Sequence, residues 1–143
     1  KNRVVYGGGG IMPDIFVPAD TAGISSYYTK ITAGGTVYQF ALDYADKHRN
    51  DLASLKTGAQ FIQYLKAKNC FNEFIAYAAA KGIPRDENGL KQSGQILETQ
   101  MMSYIARNIM GEEGFYSIIS SIDNTLQEAI KTLSNSQLLV DSK

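Results

Sequence analysis

The feature that most constrains this fold is a helical spacing of apolar residues, which begins near residue 23 and continues almost to the end of the chain. Val37, Phe40, Ala41, Tyr44 and Ala45 recur at intervals of three and four, which places them on one face of an α-helix. Comparable stripes follow within residues 61–65, 71–79, 90–109, 115–122 and 126–133. Amphipathic helices bury such stripes against one another, so the sequence predicts a mainly α, bundle-like domain of five to six helices over residues 23–133.

Capping residues predict where several of these helices begin. A short helix is expected over residues 25–32. Thr36 followed by Gln39, and Thr57 followed by Gln60, have the spacing of a capping box, in which each threonine oxygen caps a helix and each glutamine reaches back. Asp123 or Asn124 is expected to cap the last helix, which should bury Leu126, Ala129, Ile130 and Leu133.

Glycine and proline predict where helices end. Gly82 and Pro84 should stop the helix that carries residues 71–79 and open a surface loop over residues 83–89. The longest helix is expected over about residues 90–110, with Gly111 past its end. Glu112 and Glu113 then suit the first turn of a further helix, because carboxylates are stabilised at the positive end of the helix dipole.

The first 22 residues have a different composition. Four consecutive glycines, residues 7–10, separate two short apolar runs, residues 4–6 and 15–17, and the second run is closed by Pro18. This pattern predicts a glycine-rich β arm over residues 1–22. A phosphate-binding loop is not indicated, because residues 11–14 (IMPD) stand where that motif requires Lys and Ser or Thr.

The ends of the chain predict a piece of a longer polypeptide. No starting Met and no signal peptide precede the strand-like residues 4–6. At the other end, residues 134–143 carry no strong pattern and are expected to fray.

Composition excludes some partners. The chain has 143 residues with 14 Lys+Arg and 14 Asp+Glu, so its formal net charge is zero. A nucleic-acid binder needs a basic surplus to displace counterions from phosphates, and a polybasic membrane patch needs the same. We therefore predict no nucleic-acid partner.

Side chains able to do chemistry are few and scattered. The single histidine, His48, is expected at an exposed helix end, and the single cysteine, Cys70, in the core. Two acid pairs, Asp43 with Asp46 and Asp86 with Glu87, show no sign of converging in a cleft, and one tyrosine of residues 27–28 is expected to face a partner. The sequence predicts no catalytic residue, no cofactor-binding residue and no metal ligand.

Two segments carry a resemblance to a known family. Residues 3–18 read RVVYGGGGIMPDIFVP and are followed by Asp20 and Thr21; residues 105–116 read IARNIMGEEGFY, with Asp123 and residues 126–129 downstream. Together they resemble the region that follows the catalytic core in carboxy-terminal processing (tail-specific) serine peptidases.

This resemblance implies a secreted serine endopeptidase with a Ser nucleophile and a Lys base, in the periplasm or cell envelope, that cleaves proteins near their C-termini. No nucleophile turn of that family occurs here, and Ser54 and Lys56 are two residues apart, on different helix faces. Gly10, Ile11, Pro13 and Asp14 match only as structural residues of the strand that closes the peptidase sheet.

The resemblance therefore implies that this chain is the non-catalytic C-terminal helical domain of such a peptidase. Its implied partners are the parent's catalytic core, a protein or peptide substrate through that parent, and a second copy through the β arm. The alternative is a free-standing helical protein-binding or scaffold module unrelated to proteolysis.

Overall fold

A computed structural model describes residues 15–18 and 23–134. The described chain is mainly helical, as predicted, and forms seven α-helices and one short 3-10 helix. These are α1 Ser26–Ala33, α2 Thr36–Lys47, α3 Arg49–Leu52, α4 Gly58–Ala67, α5 Cys70–Ala80, α6 Glu87–Ile119, the 3-10 helix Ser120–Ile122 and α7 Asn124–Ser134. Helix α3, which is a single turn, was not predicted from the sequence.

The core forms around the long helix α6, which packs against α1, α2 and α4. Leu97, Met101 and Ile105 of α6 are fully or almost fully buried. On the facing helices, Phe40 of α2 meets Phe74 of α5 with ring centroids 5.2 Å apart. All five residues of the α2 stripe are buried, so the predicted helical phase is confirmed there.

The two predicted capping boxes have different outcomes. At α4 the Thr57 side chain accepts a hydrogen bond from the Gln60 N–H at 3.3 Å, and Gln60 Oε1 accepts one from the Lys56 N–H at 2.7 Å. At α2 the prediction was wrong. Gly35, with φ of 66°, occupies the N-cap position without a side-chain bond, and Thr36 is the first helical residue and buried. Glycine adopts a left-handed φ readily and turns the chain from α1 into α2, but it has no side chain that could cap the helix.

Helix α6 begins earlier than predicted, inside the expected loop. The carboxylate of Asp86 caps it by accepting from the N–H groups of Asn88 and Gly89, both at 3.0 Å. The predicted break at Gly111 is confirmed, since its φ of 68° and ψ of −151° are non-helical and suit only glycine. An ion pair between Arg107 and Glu112 spans this kink.

A buried serine pair ties the start of α1 to α6. Ser93 Oγ accepts from the Ser25 N–H at 2.7 Å, donates to the Gly23 carbonyl at 2.7 Å, and lies 2.8 Å from Ser25 Oγ. Because these groups are shielded from water, each hydrogen bond satisfies a polar atom that would be costly to leave unpaired. The pair fixes the register of α1 on α6.

The two ends of the described chain depart from the predictions. Asp123 Oδ1 does accept from the Leu126 N–H at 2.9 Å, so the cap of α7 is confirmed. However, no residue of α7 is buried: among residues 15–18 and 23–134, the helix lies mainly against the 3-10 helix before it and residues 15–18. Residues 15–18 form no strand, so the predicted strand over residues 15–17 is absent. The rest of the β arm, residues 1–14 and 19–22, and the predicted frayed tail beyond Ser134 lie outside the described residues.

Candidate functional site

The most conspicuous surface of the described chain is the apolar side of α7. Leu126, Ala129, Ile130 and Leu133 share this side, here called the C-terminal apolar face. Leu126 is 38% exposed, Ile130 49% and Leu133 68%. Apolar side chains grouped on an exposed helix face mark a place where another surface can bind.

Residues 15–18 lie along one edge of this helix. Ile15 and Val17 line a shallow cleft with Thr125, Thr132 and Leu133. Phe16 is 80% exposed and lies beside Asn124, Gln127 and Glu128, on the polar side of α7. The segment therefore adds apolar surface next to the C-terminal apolar face without being packed into the core.

The Ser/Lys pair of the sequence has no catalytic geometry. Ser54 Oγ donates to the Asp51 carbonyl at 2.7 Å, and Lys56 Nζ donates to the Ala53 carbonyl at 3.0 Å. Both side chains are exposed and bind backbone oxygens of the preceding turn. A nucleophilic serine needs its base within hydrogen-bond reach, whereas each of these side chains is bonded to a backbone oxygen instead.

The predicted acid pairs also serve structural roles. Asp43 accepts from Gln39 at 2.9 Å and from the Tyr77 hydroxyl at 3.2 Å. Asp46 pairs with Arg49. Asp86 caps α6, and Glu87 pairs with Arg85, whose hydrogen bond and charge lower the pKa of the Glu87 carboxyl. The structure brings no two of these carboxylates into a common cleft.

Cys70 is a core residue, as predicted. Its thiol is fully buried and lies 4.0 Å from the sulfur of Met101. Burial raises the pKa of the Cys70 thiol to about 12, from an ordinary value of 9.0. The nucleophile of cysteine enzymes is the thiolate, so this thiol is held in its inert form.

The raised pKa of Cys70 predicts a loss of stability at high pH. Below the pKa of the unfolded state, the thiol is neutral in both the folded and the unfolded chain. Above that pKa only the unfolded chain releases the proton. The free energy of unfolding therefore falls as the pH rises toward 12. We expect the free energy of unfolding of the wild type to fall by about 1–2 kcal/mol more than that of Cys70→Ala between about pH 8 and 10.5. Urea titrations at both pH values measure this difference. Equal pH dependence of the two proteins would contradict it.

His48 is not the exposed residue that the sequence predicted. Its ring stacks on Tyr44 with centroids 4.4 Å apart, and its Nε2 is buried with no hydrogen-bond partner among residues 15–18 and 23–134. The error arose because Lys47 and Arg49 flank it. Their side chains are exposed, whereas the histidine follows the stripe of α2, four residues after Tyr44.

The tyrosine pair after the β arm is also engaged within the chain. Tyr27 is buried against α6, where its Cβ approaches Gly89. The Tyr28 hydroxyl accepts from Gln100 Nε2 at 2.8 Å. These contacts make the pair part of the packing between α1 and α6.

Neither a metal-binding cluster nor a membrane-spanning helix is present among the described residues. They contain no group of three or more His, Cys, Asp or Glu side chains placed to hold a metal ion. Within the same residues, no helix is long and apolar enough to span a lipid bilayer.

Comparison with protein-family models places the chain. A model described as a family of unknown function, DUF8443, matches residues 27–111, more than half of the sequence. The chain belongs to the DUF8443 family. No curated protein and no solved structure matches it.

The residues matched by the DUF8443 model coincide with the packed part of the structure. It runs from Tyr27 in α1 to Gly111 at the kink of α6 and so includes nearly all of the buried core. The C-terminal apolar face and residues 15–18 lie outside it. The DUF8443 segment therefore corresponds to the packed body, and the C-terminal apolar face is carried by residues that follow it.

Proposed function

We propose that this chain is the non-catalytic C-terminal helical domain of a secreted serine endopeptidase of the carboxy-terminal processing family. It acts in the periplasm or cell envelope as a scaffold for a catalytic core on the same polypeptide. Protein or peptide substrates reach it through that parent. Residues 1–22 are the β arm that joins the helical body to the peptidase sheet.

The observation that carries this proposal is the state of residues 15–18. They belong to the motif that resembles the family, and the resemblance implies a strand that closes the peptidase sheet. In the described chain they lie outside the helical core, form no strand and expose the apolar side chains of Ile15 and Phe16. A neighbouring strand would satisfy their backbone groups and cover these side chains.

The arm can be tested in the full-length polypeptide that carries the catalytic core. Phe16→Asp is expected to lower the melting temperature and the peptidase activity, because it places a charge where the sheet should bury an aromatic ring. Tyr116→Asp is the matched control, since Tyr116 is also an exposed aromatic residue but lies on α6. Equal effects of the two variants would contradict a special role for the arm.

A second prediction concerns activity. The chain of residues 1–143 alone is expected to show no hydrolysis of casein or of peptides with a free C-terminus, because Ser54 and Lys56 are not coupled. Hydrolysis by this chain that is abolished by Ser54→Ala or Lys56→Ala would overturn the assignment. A reading frame for the parent that lacks a Ser/Lys peptidase core would overturn the link to proteolysis.

The alternative function is a free-standing helical protein-binding or scaffold module. The C-terminal apolar face favours this alternative, because an exposed apolar helix face can bind a protein partner whether or not a peptidase core is present. The two functions depend on different surfaces: the first requires the arm and the second requires α7. An arm-dependent defect in proteolysis supports the first, and binding that depends only on α7 supports the second.

A further inference from the structure

We propose that the C-terminal apolar face binds a second copy of this chain, with the two α7 helices packed antiparallel. This inference does not rest on the peptidase assignment. It starts from the exposure of Leu126, Ile130 and Leu133 on a helix that has no buried residue.

The face is self-complementary about a point between Ala129 and Ile130. A two-fold axis at that point places Leu126 opposite Leu133 of the second copy, because the two positions are equally far from the axis. It also places each Ala129 beside its counterpart and each Ile130 beside its counterpart. The two long side chains thus meet at the ends of the contact, and the small Ala129 allows the helices to approach closely at the centre.

The charges of α7 are compatible with this arrangement. With about 100° of rotation per residue, Glu128 and Lys131 lie on the side of the helix away from the apolar face. They pair with each other at 3.3 Å. Their charges are therefore compensated within one copy, and the pairing brings no like charges together.

The rim of the face is polar but uncharged. It consists of Thr125, Gln127, Thr132 and Ser134. A partner peptide rich in acidic or basic residues would find no opposite charge there, and an anionic membrane would find no cluster of cations. A neutral, apolar helix of the same composition is the occupant that this surface fits best.

The contact is small, which sets the expected affinity. Stable protein interfaces bury at least about 1,200 Å² in total, and two 11-residue helices bury less than a full interface of that size. Ile15, which lines the cleft beside Ala129 and Leu133, enlarges the apolar area. We therefore expect a weak dimer, with a Kd in the micromolar range or above.

Cysteine cross-linking tests the antiparallel register in the full chain, on a Cys70→Ala background. Ile130→Cys is expected to form a disulfide with its own counterpart under mild oxidation. Leu126→Cys and Leu133→Cys should each cross-link poorly alone but efficiently when mixed, because like residues lie about 10 Å apart along the helix axis. Lys131→Cys, on the opposite side of α7, is the control and should stay monomeric.

Sedimentation equilibrium provides an independent measurement. Leu133→Asp is expected to weaken dimerisation at least about tenfold, because it buries an unpaired charge at the contact. Its melting curve as a monomer should match the wild type, since α7 buries nothing in the core. Tyr116→Asp should leave dimerisation unchanged.

Three results would overturn the proposal. One is a monomer at millimolar concentration. Another is cross-linking of Lys131→Cys as fast as Ile130→Cys. The third is self-cross-linking of Leu126→Cys that matches the mixed pair, which would indicate parallel helices.

Discussion

Replacing Phe74 by alanine is expected to lower the free energy of unfolding by about 3–5 kcal/mol, because it removes a fully buried ring and leaves a cavity. Phe74 is 0% exposed and packs between Phe40, at 5.2 Å, and Phe71, at 6.1 Å between ring centroids. Relaxation of the neighbouring rings will recover only part of the loss, because protein interiors are close-packed.

Chemical denaturation of the wild type and the variant measures this loss. Leu133→Ala is the matched control, because it also truncates a large apolar side chain but at an exposed position of α7. We expect the control to change monomer stability by less than about 0.5 kcal/mol. A loss below about 1 kcal/mol for Phe74→Ala would show that the assigned packing of α5 is wrong.

Two glycines of α6 are expected to respond to alanine in opposite directions. A Cβ at Gly89 would overlap the Cβ of Tyr27 and lie 3.1 Å from its Cγ. These atoms are held by the backbone of α1, so α1 and α6 must separate, which costs about 1–3 kcal/mol. A Cβ at Gly94 would meet nothing closer than Leu90 Cδ2 at 3.9 Å. There alanine should stabilise the helix by about 0.5–1 kcal/mol.

The pair of variants separates packing from helix propensity. Both glycines lie in the same helix, so propensity alone predicts the same gain at both positions. Melting temperatures and urea midpoints of Gly89→Ala and Gly94→Ala should therefore move apart. Stabilisation by both substitutions would mean that α1 does not approach α6 at Tyr27 as closely as described.

The helical body could be predicted from the sequence because the patterns that define its helices involve residues close together in the chain. The apolar stripe of α2 and the break at Gly111 depend on residues within one or two turns. Gly35 shows the limit of this approach. Either Gly35 or Thr36 can precede a helix, and the structure places Gly35 at the N-cap and buries Thr36 as the first helical residue.

The surface could be predicted only in part. The amphipathic pattern of α7 indicated its apolar face correctly, including Leu126 and Leu133. The burial of that face was wrongly expected, because a hydrophobic stripe shows which side of a helix seeks a partner and not whether the same chain supplies one. The predicted exposure of His48 was also wrong, because its charged neighbours suggested a solvated position although its spacing from Tyr44 continues the apolar stripe of α2. The strand expected over residues 15–17 is absent, and the partners expected for the arm remain a prediction.

The central position of α6 also affects how the chain folds during synthesis. Helices α1, α2 and α4 pack against a helix that is translated after them, and the Ser25–Ser93 hydrogen bond joins residues 68 positions apart. While the ribosome is still making α5, the apolar sides that carry Phe40 and Phe61 have no α6 to cover them, and nascent chains in this state attract chaperones. A chain stalled before Leu97 should therefore bind chaperones, whereas one released after Ile118, the last residue of the buried core, should already be a closed domain.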